Sequence, residues 1–107
     1  MLFCTCYNAT TVMRFTWDED KNRRNLAKHK ISFETASLVF DDPFHVSRLE
    51  RVVEGEERWQ TMGLIGAVVI VLVAHTYGEE EDETVIRIIS ARKATSHERR
   101  HYDQNRH

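Results

Sequence analysis

Two cysteines, one proline, four glycines and no long apolar run leave this 107-residue chain without most of the usual signposts. Cys4 and Cys6 are too few and too close together for a disulfide framework. The apolar run 67–74 is far shorter than a membrane span. The opening MLFCTCYNATTV lacks the charged start and full apolar stretch of a signal peptide, so the cytoplasm is the expected compartment. No glycine-rich phosphate loop, nucleophile elbow or zinc-finger spacing is present, which turns the search away from those chemistries. His97 and His101 are four apart on an expected helix, but no third ligand stands at supporting spacing, so neither a metal nor a cofactor is expected.

What is present is charge, unevenly placed. The formal net charge of −2 conceals +3 over residues 1–30, −9 over 31–83 and +4 over 84–107. Two basic ends flank an acidic middle, and local field rather than net charge governs phosphate binding. The same segregation also describes ordinary solvated faces. The length suits one domain with a modest core. Met13 opens a sequence that reads like a natural start, so residues 1–12 are expected to be an extension without a structural role. A single domain is then expected over 13–104, followed by a flexible end at 105–107.

Hydrophobic periodicity predicts a short strand at Arg14–Trp17 and an Asp18-capped helix over Glu19–Lys30, whose thin apolar stripe is Leu26 and Ala27. A Ser32-capped helix carries Phe33, Ala36, Val39 and Phe40, and Asp41-Asp42-Pro43 ends it. Strands follow at His45–Val53, Arg58–Leu64, 67–77 and Thr84–Arg92. Thr95-Ser96-His97-Glu98 is a capping box opening a helix to about Gln104. The expectation is a compact α+β domain in the order β-α-α-β-β-β-β-α, one antiparallel sheet with helices packed on it.

The segments FTWDEDKNRRNLAKHKISFETASLVFDDP, GEERWQTMG and RIISARKATSHERRHY, over about Arg14–Tyr102, resemble the BrnT family of toxins in the RelE-like ribonuclease superfamily. That resemblance implies a RelE-like fold and the toxin of a type II toxin–antitoxin pair. It implies metal-independent endonucleolytic cleavage of RNA, expected to be mRNA, with inhibition of translation. It also implies a BrnA-like antitoxin partner, contact with operator DNA only through that antitoxin, and a dimer of toxin–antitoxin heterodimers as one possible assembly. The alternative is a catalytically weak member that acts as an antitoxin-binding partner or corepressor. Lys30 stands where many relatives have a glycine ending the first helix.

Such cleavage needs a base near the 2′-hydroxyl, an acid near the leaving oxygen and cations around the developing phosphorane charge. Arg92 ends the last strand beside the helix cap, and Arg87 lies within it among apolar residues, to be paired with an acid such as Glu56 or to meet phosphate. Strict alternation puts these two arginines on opposite faces, so both serve one site only if the strand twists or ends near Ser90. His75, on a strongly apolar strand, is either a satisfied core group or the histidine best placed to titrate. Glu56 is a partner for Arg58 or a base, and Tyr102 is core packing or a proton donor. The expected catalytic set is thus Arg92, Arg87, His75, Glu56 and Tyr102. Lys28 and His29, the KH of the family's NLxKH motif, join Arg58, Lys93 and Arg99 as the expected RNA-binding set, with helix-dipole or solvated-charge roles as the alternatives.

Overall fold

A computed structural model describes residues 12–66 and 68–105. Strand β1 (Val12–Thr16) leads through helix α1 (Glu19–His29) to helix α2 (Phe33–Ala36), which tightens directly into a 3₁₀ turn at Ser37–Asp41. Strands β2 (Val46–Val53), β3 (Glu56–Ile65), β4 (Val69–Glu80) and β5 (Glu83–Lys93) then form a meander, and helix α3 (Ser96–Asn105) follows. The class is α+β and the elements come in the expected order. The sheet, however, is mixed and not antiparallel: its strand order is β1-β5-β4-β3-β2, and β1 runs parallel to β5. Alternation reveals that a strand exists but not the direction of a partner some 70 residues away, and here the meander left the outer edge of β5 open to the first strand.

Most of the extension expected at 1–12 and of the tail expected at 105–107 lies outside the described residues. Val12 itself pairs with Glu83 in β1, and Asn105 closes α3.

The helices lie on both faces of the sheet. Phe33, Val39, Val71, Val73, Ile86, Ile88 and Ala91 form the larger core beneath α1, α2 and the 3₁₀ turn. That turn sits so close to β3 that a Cβ on Gly63 would lie 2.7 Å from the Val39 carbonyl oxygen. Across the sheet, Met62, Leu72 and Tyr102 form a smaller core beneath α3. Tyr102 is fully buried, and its hydroxyl donates to Asp42 Oδ2, which also accepts from the Leu64 amide at 2.8 Å. Burial raises the Asp42 carboxyl, but these bonds outweigh it and hold the group below its ordinary range.

Helix α1 departs from expectation in how it docks. Leu26 is 48% exposed, Ala27 is exposed, and the buried residues are Asn22 and Asn25. Asn25 Nδ2 donates to the carbonyls of Ile31 and Ala91, both at 2.9 Å, while its Oδ1 accepts from the Ala91 amide at 3.1 Å. Beyond Arg87, where the register with β1 ends, this side-chain amide takes the place of a neighbouring strand. Asn22 Oδ1 accepts from the Phe33 amide at 2.8 Å and so fixes the start of α2. The helix is held by polar contacts to backbone, which a search for an apolar stripe cannot detect.

Lys30 ends α1 in the left-handed region at φ 64°, with its amide donating to the Leu26 carbonyl. A side chain there is strained by about 1 kcal/mol, partly offset because glycine gains freedom in the unfolded chain. Lys30→Gly is therefore expected to raise the thermal midpoint by a few degrees; an unchanged or lower midpoint in a thermal melt would count against the strain.

Candidate functional site

One extra residue in β5 decides which side chains meet. Ser90 pairs with Ala74 and Ile88 with His75, leaving Ile89 as a bulge without a partner. The bulge resets the alternation, so that Ile86, Ile88 and Ala91 face the larger core while Arg87, Ser90 and Arg92 share the opposite face. The geometric condition for both arginines to serve one face is met by a bulge, not by strand twist.

Beyond α3 that face carries no helix among the described residues. It is a shallow groove of about 190 Å³, floored by Leu72 and Ala74 and walled by Arg51, Arg58, Ser90 and Arg92, with Glu50 at its edge. Arg51 and Arg58 are direct cross-strand partners on β2 and β3. Like charges in that relation destabilise a sheet. The Arg58 side chain is 25% exposed and forms an ion pair with Glu56, its Nε 3.3 Å from Oε1 but without the alignment of a hydrogen bond, so among the described residues this buried donor is unsatisfied. An arginine pair of like charge with an unmet donor is well suited to receive an anion.

Carboxylates hold the other two arginines. Arg87 Nη2 donates to Glu56 Oε1 at 2.8 Å, and this bond, with the nearby positive charges, keeps Glu56 below the ordinary carboxylate range. Arg92 makes two parallel bonds to Glu98, at 2.9 and 3.0 Å, and Glu98 Oε1 also accepts from the Thr95 amide at 2.8 Å. The Arg92 bonds, foremost, pull the Glu98 carboxyl down to about 2. Thus the capping box that starts α3 also locks Arg92 at the groove's rim. Sequence reading found the box but not its second role, which takes the turn after β5 to reveal.

His75 is not brought to this face. It is fully buried on the helix side, where Nε2 lies 2.6 Å from Thr61 Oγ1 and Phe40 and Tyr77 meet the ring edge to face. The Thr76 carbonyl, 3.4 Å from Nδ1, can only accept, which assigns the proton to Nδ1 and makes Thr61 the donor to Nε2. Burial pushes the imidazole down to about 4. An unfolded histidine protonates near pH 6.5 while this one does not, so acid favours the unfolded chain. From pH 7 to pH 5 the folded state is expected to lose about 2 kcal/mol through this residue. Urea unfolding at the two pH values checks it: His75→Gln should flatten the dependence, and an equal slope in the variant would refute the assignment.

Tyr102 is likewise turned inward, to Asp42. Lys28, Lys93 and Arg99 are exposed and His29 is half-buried; none of the four lines the groove. Of the expected residues, Arg58 and Arg92 line the groove, while Glu56 and Arg87 pair with each other on the same face of the sheet without lining it. Arg51, Glu98 and Ser90 join them without having been singled out.

Comparison with known proteins agrees with this architecture. A family model described as the ribonuclease toxin BrnT of a type II toxin–antitoxin system matches residues 17–98. Among solved structures, the 1.1 Å crystal structure of the Brucella abortus ribonuclease toxin BrnT is similar in fold, with a TM-score of 0.55 and 22% identity, covering 79% of this chain and 100% of that one. No curated protein sequence matches. With the family model spanning well over half of its length, the chain belongs to the BrnT family of ribonuclease toxins of type II toxin–antitoxin systems.

Proposed function

We propose that the arginine-lined face is the RNA-cleaving site of a metal-independent, RelE-like endoribonuclease toxin acting on mRNA in the cytoplasm. The observation that carries this reading is the cross-strand pair Arg51 and Arg58, with an unsatisfied Arg58 Nε, in a groove that no helix covers among the described residues. A phosphodiester seated there relieves the repulsion and satisfies the donor. In the transition state the 2′-oxygen bonds to phosphorus while the bond to the 5′-oxygen breaks, that oxygen taking a proton from water, and the extra charge on the equatorial oxygens strengthens these contacts further. Arg92 and Arg87, held by Glu98 and Glu56, extend the positive field along the strand. Glu56 is the proposed base for the 2′-hydroxyl. Its lowered pKa makes it a weak one, so charge stabilisation by arginine supplies most of the acceleration. The partner is a BrnA-like antitoxin, through which alone the complex contacts operator DNA, in a dimer of heterodimers.

The test is RNA cleavage by the purified chain in EDTA, together with growth on induction without the antitoxin. Cleavage and arrest support the reading. Intact RNA and normal growth, with antitoxin still bound, favour the second one, a catalytically weak member that acts as antitoxin-binding partner and corepressor. One observation favours that second reading: Arg87 and Arg92 are already paired to acids, and His75 and Tyr102 are buried away from the groove.

A further inference from the structure

Beside the arginine groove lies a second, larger trough of about 340 Å³, between the β2–β3 pair and α3. Gln60 and Leu72 line both, so the two are continuous. Building on the ribonuclease reading, we infer that this trough is a nucleobase subsite selecting guanine over adenine in the nucleotide next to the bound phosphate.

Its floor is apolar, formed by Met62, Leu72 and Val46, and offers a dry surface for the flat face of a base. The wall toward β2 is set by one interaction. Arg48 Nε and Nη2 both donate to Gln60 Oε1, at 3.2 and 3.1 Å, which fixes the amide with its oxygen consumed. Gln60 Nε2 makes no hydrogen bond among the described residues, so that wall presents donors. On the opposite wall His97 and His101, one turn apart on α3, present imidazole rings to the trough. The acidic group there, Glu98, is already bound at both oxygens, by Arg92 and by the Thr95 amide. The Gln60 wall, with its donors free, suits guanine, whose O6 and N7 are adjacent acceptors. The same wall disfavours adenine, whose N6 amino group meets donors there and not an acceptor.

The intact chain should be titrated calorimetrically with guanosine 3′-monophosphate and with adenosine 3′-monophosphate. The guanosine nucleotide is expected to bind about 10-fold more tightly, the lower end of what one bidentate pair supplies. In Gln60→Glu the pairing with Arg48 persists while the free donors become an acceptor, so the preference should vanish or reverse. Equal binding of the two nucleotides by the native chain, preference for a different base, or an unmoved ratio in Gln60→Glu would overturn the subsite. The two readings fail separately. A guanosine preference that responds to Gln60→Glu, in a chain that leaves RNA intact, sinks the ribonuclease and keeps the subsite. RNA cleavage with equal binding of the nucleotides sinks the subsite alone.

Discussion

Replacing Arg58 with alanine is expected to lower RNA cleavage by roughly 100-fold, the loss typical of removing one preorganised donor to developing charge. Of the four arginines gathered on the open face, Arg58 alone combines partial burial with an unsatisfied donor. Arg87 and Arg92 each keep a carboxylate partner at 3.0 Å or less. Stability should move the other way. Arg58 stands opposite Arg51, and removing either relieves a like-charge pair while Glu56 keeps its stronger bond to Arg87. The variant is therefore expected to melt at or slightly above the native temperature, as at sites that hold strain for function. Arg58→Lys should recover little, because a point charge on a flexible stem cannot supply the planar fork. Single-turnover cleavage beside thermal melts separates the outcomes: unchanged cleavage removes Arg58 from the site, and a large drop in melting temperature reassigns it to structure.

Periodicity made the elements legible. Phe33, Ala36 and Val39 announced a helix, and the Val- and Ile-rich segment ending near Tyr77 announced a central strand. The face of Arg92 was not legible, because it depends on one unpaired residue, Ile89, whose effect exists only in register with Ala74 and His75. Glu56, Arg58 and Arg92 were readable as charges near strand ends, and Arg87 as a charge within a strand. Arg51 was not, because its meaning comes from standing opposite Arg58 across a hairpin whose strands carry a bulge of their own near Glu50. The contrast between His75 and Tyr102 on one side and the arginines on the other follows the same rule. Residue type suggests chemistry, but the face of the sheet decides which groups share it. The asparagines of α1 were the plainest omission, since Asn22 and Asn25, three apart, already mark one helix face, though a polar one.

Asn25→Ala is expected to destabilise the fold by about 3 to 4 kcal/mol, because three hydrogen bonds to buried backbone groups are lost together and each orphaned group costs about 1 to 3 kcal/mol less what water recovers. The groups are the Ala91 amide and the carbonyls of Ala91 and Ile31, and Asn25 itself is 7% exposed. Asn25→Asp should be at least as damaging. It keeps the acceptor for the Ala91 amide but turns the donor toward two carbonyls into a buried carboxylate oxygen. Urea unfolding measures the loss, and hydrogen exchange at the Ala91 amide locates it; a small loss with slow exchange would mean that another group holds the edge of β5. The consequence reaches the groove because Ala91 lies between Ser90 and Arg92. Its side chain enters the larger core and its backbone is clamped by Asn25, so the two neighbours have nowhere to turn but the open face. RNA cleavage by Asn25→Ala, measured below its melting temperature, should therefore fall further than that of Lys30→Gly, whose substitution at the end of the same helix leaves the clamp intact.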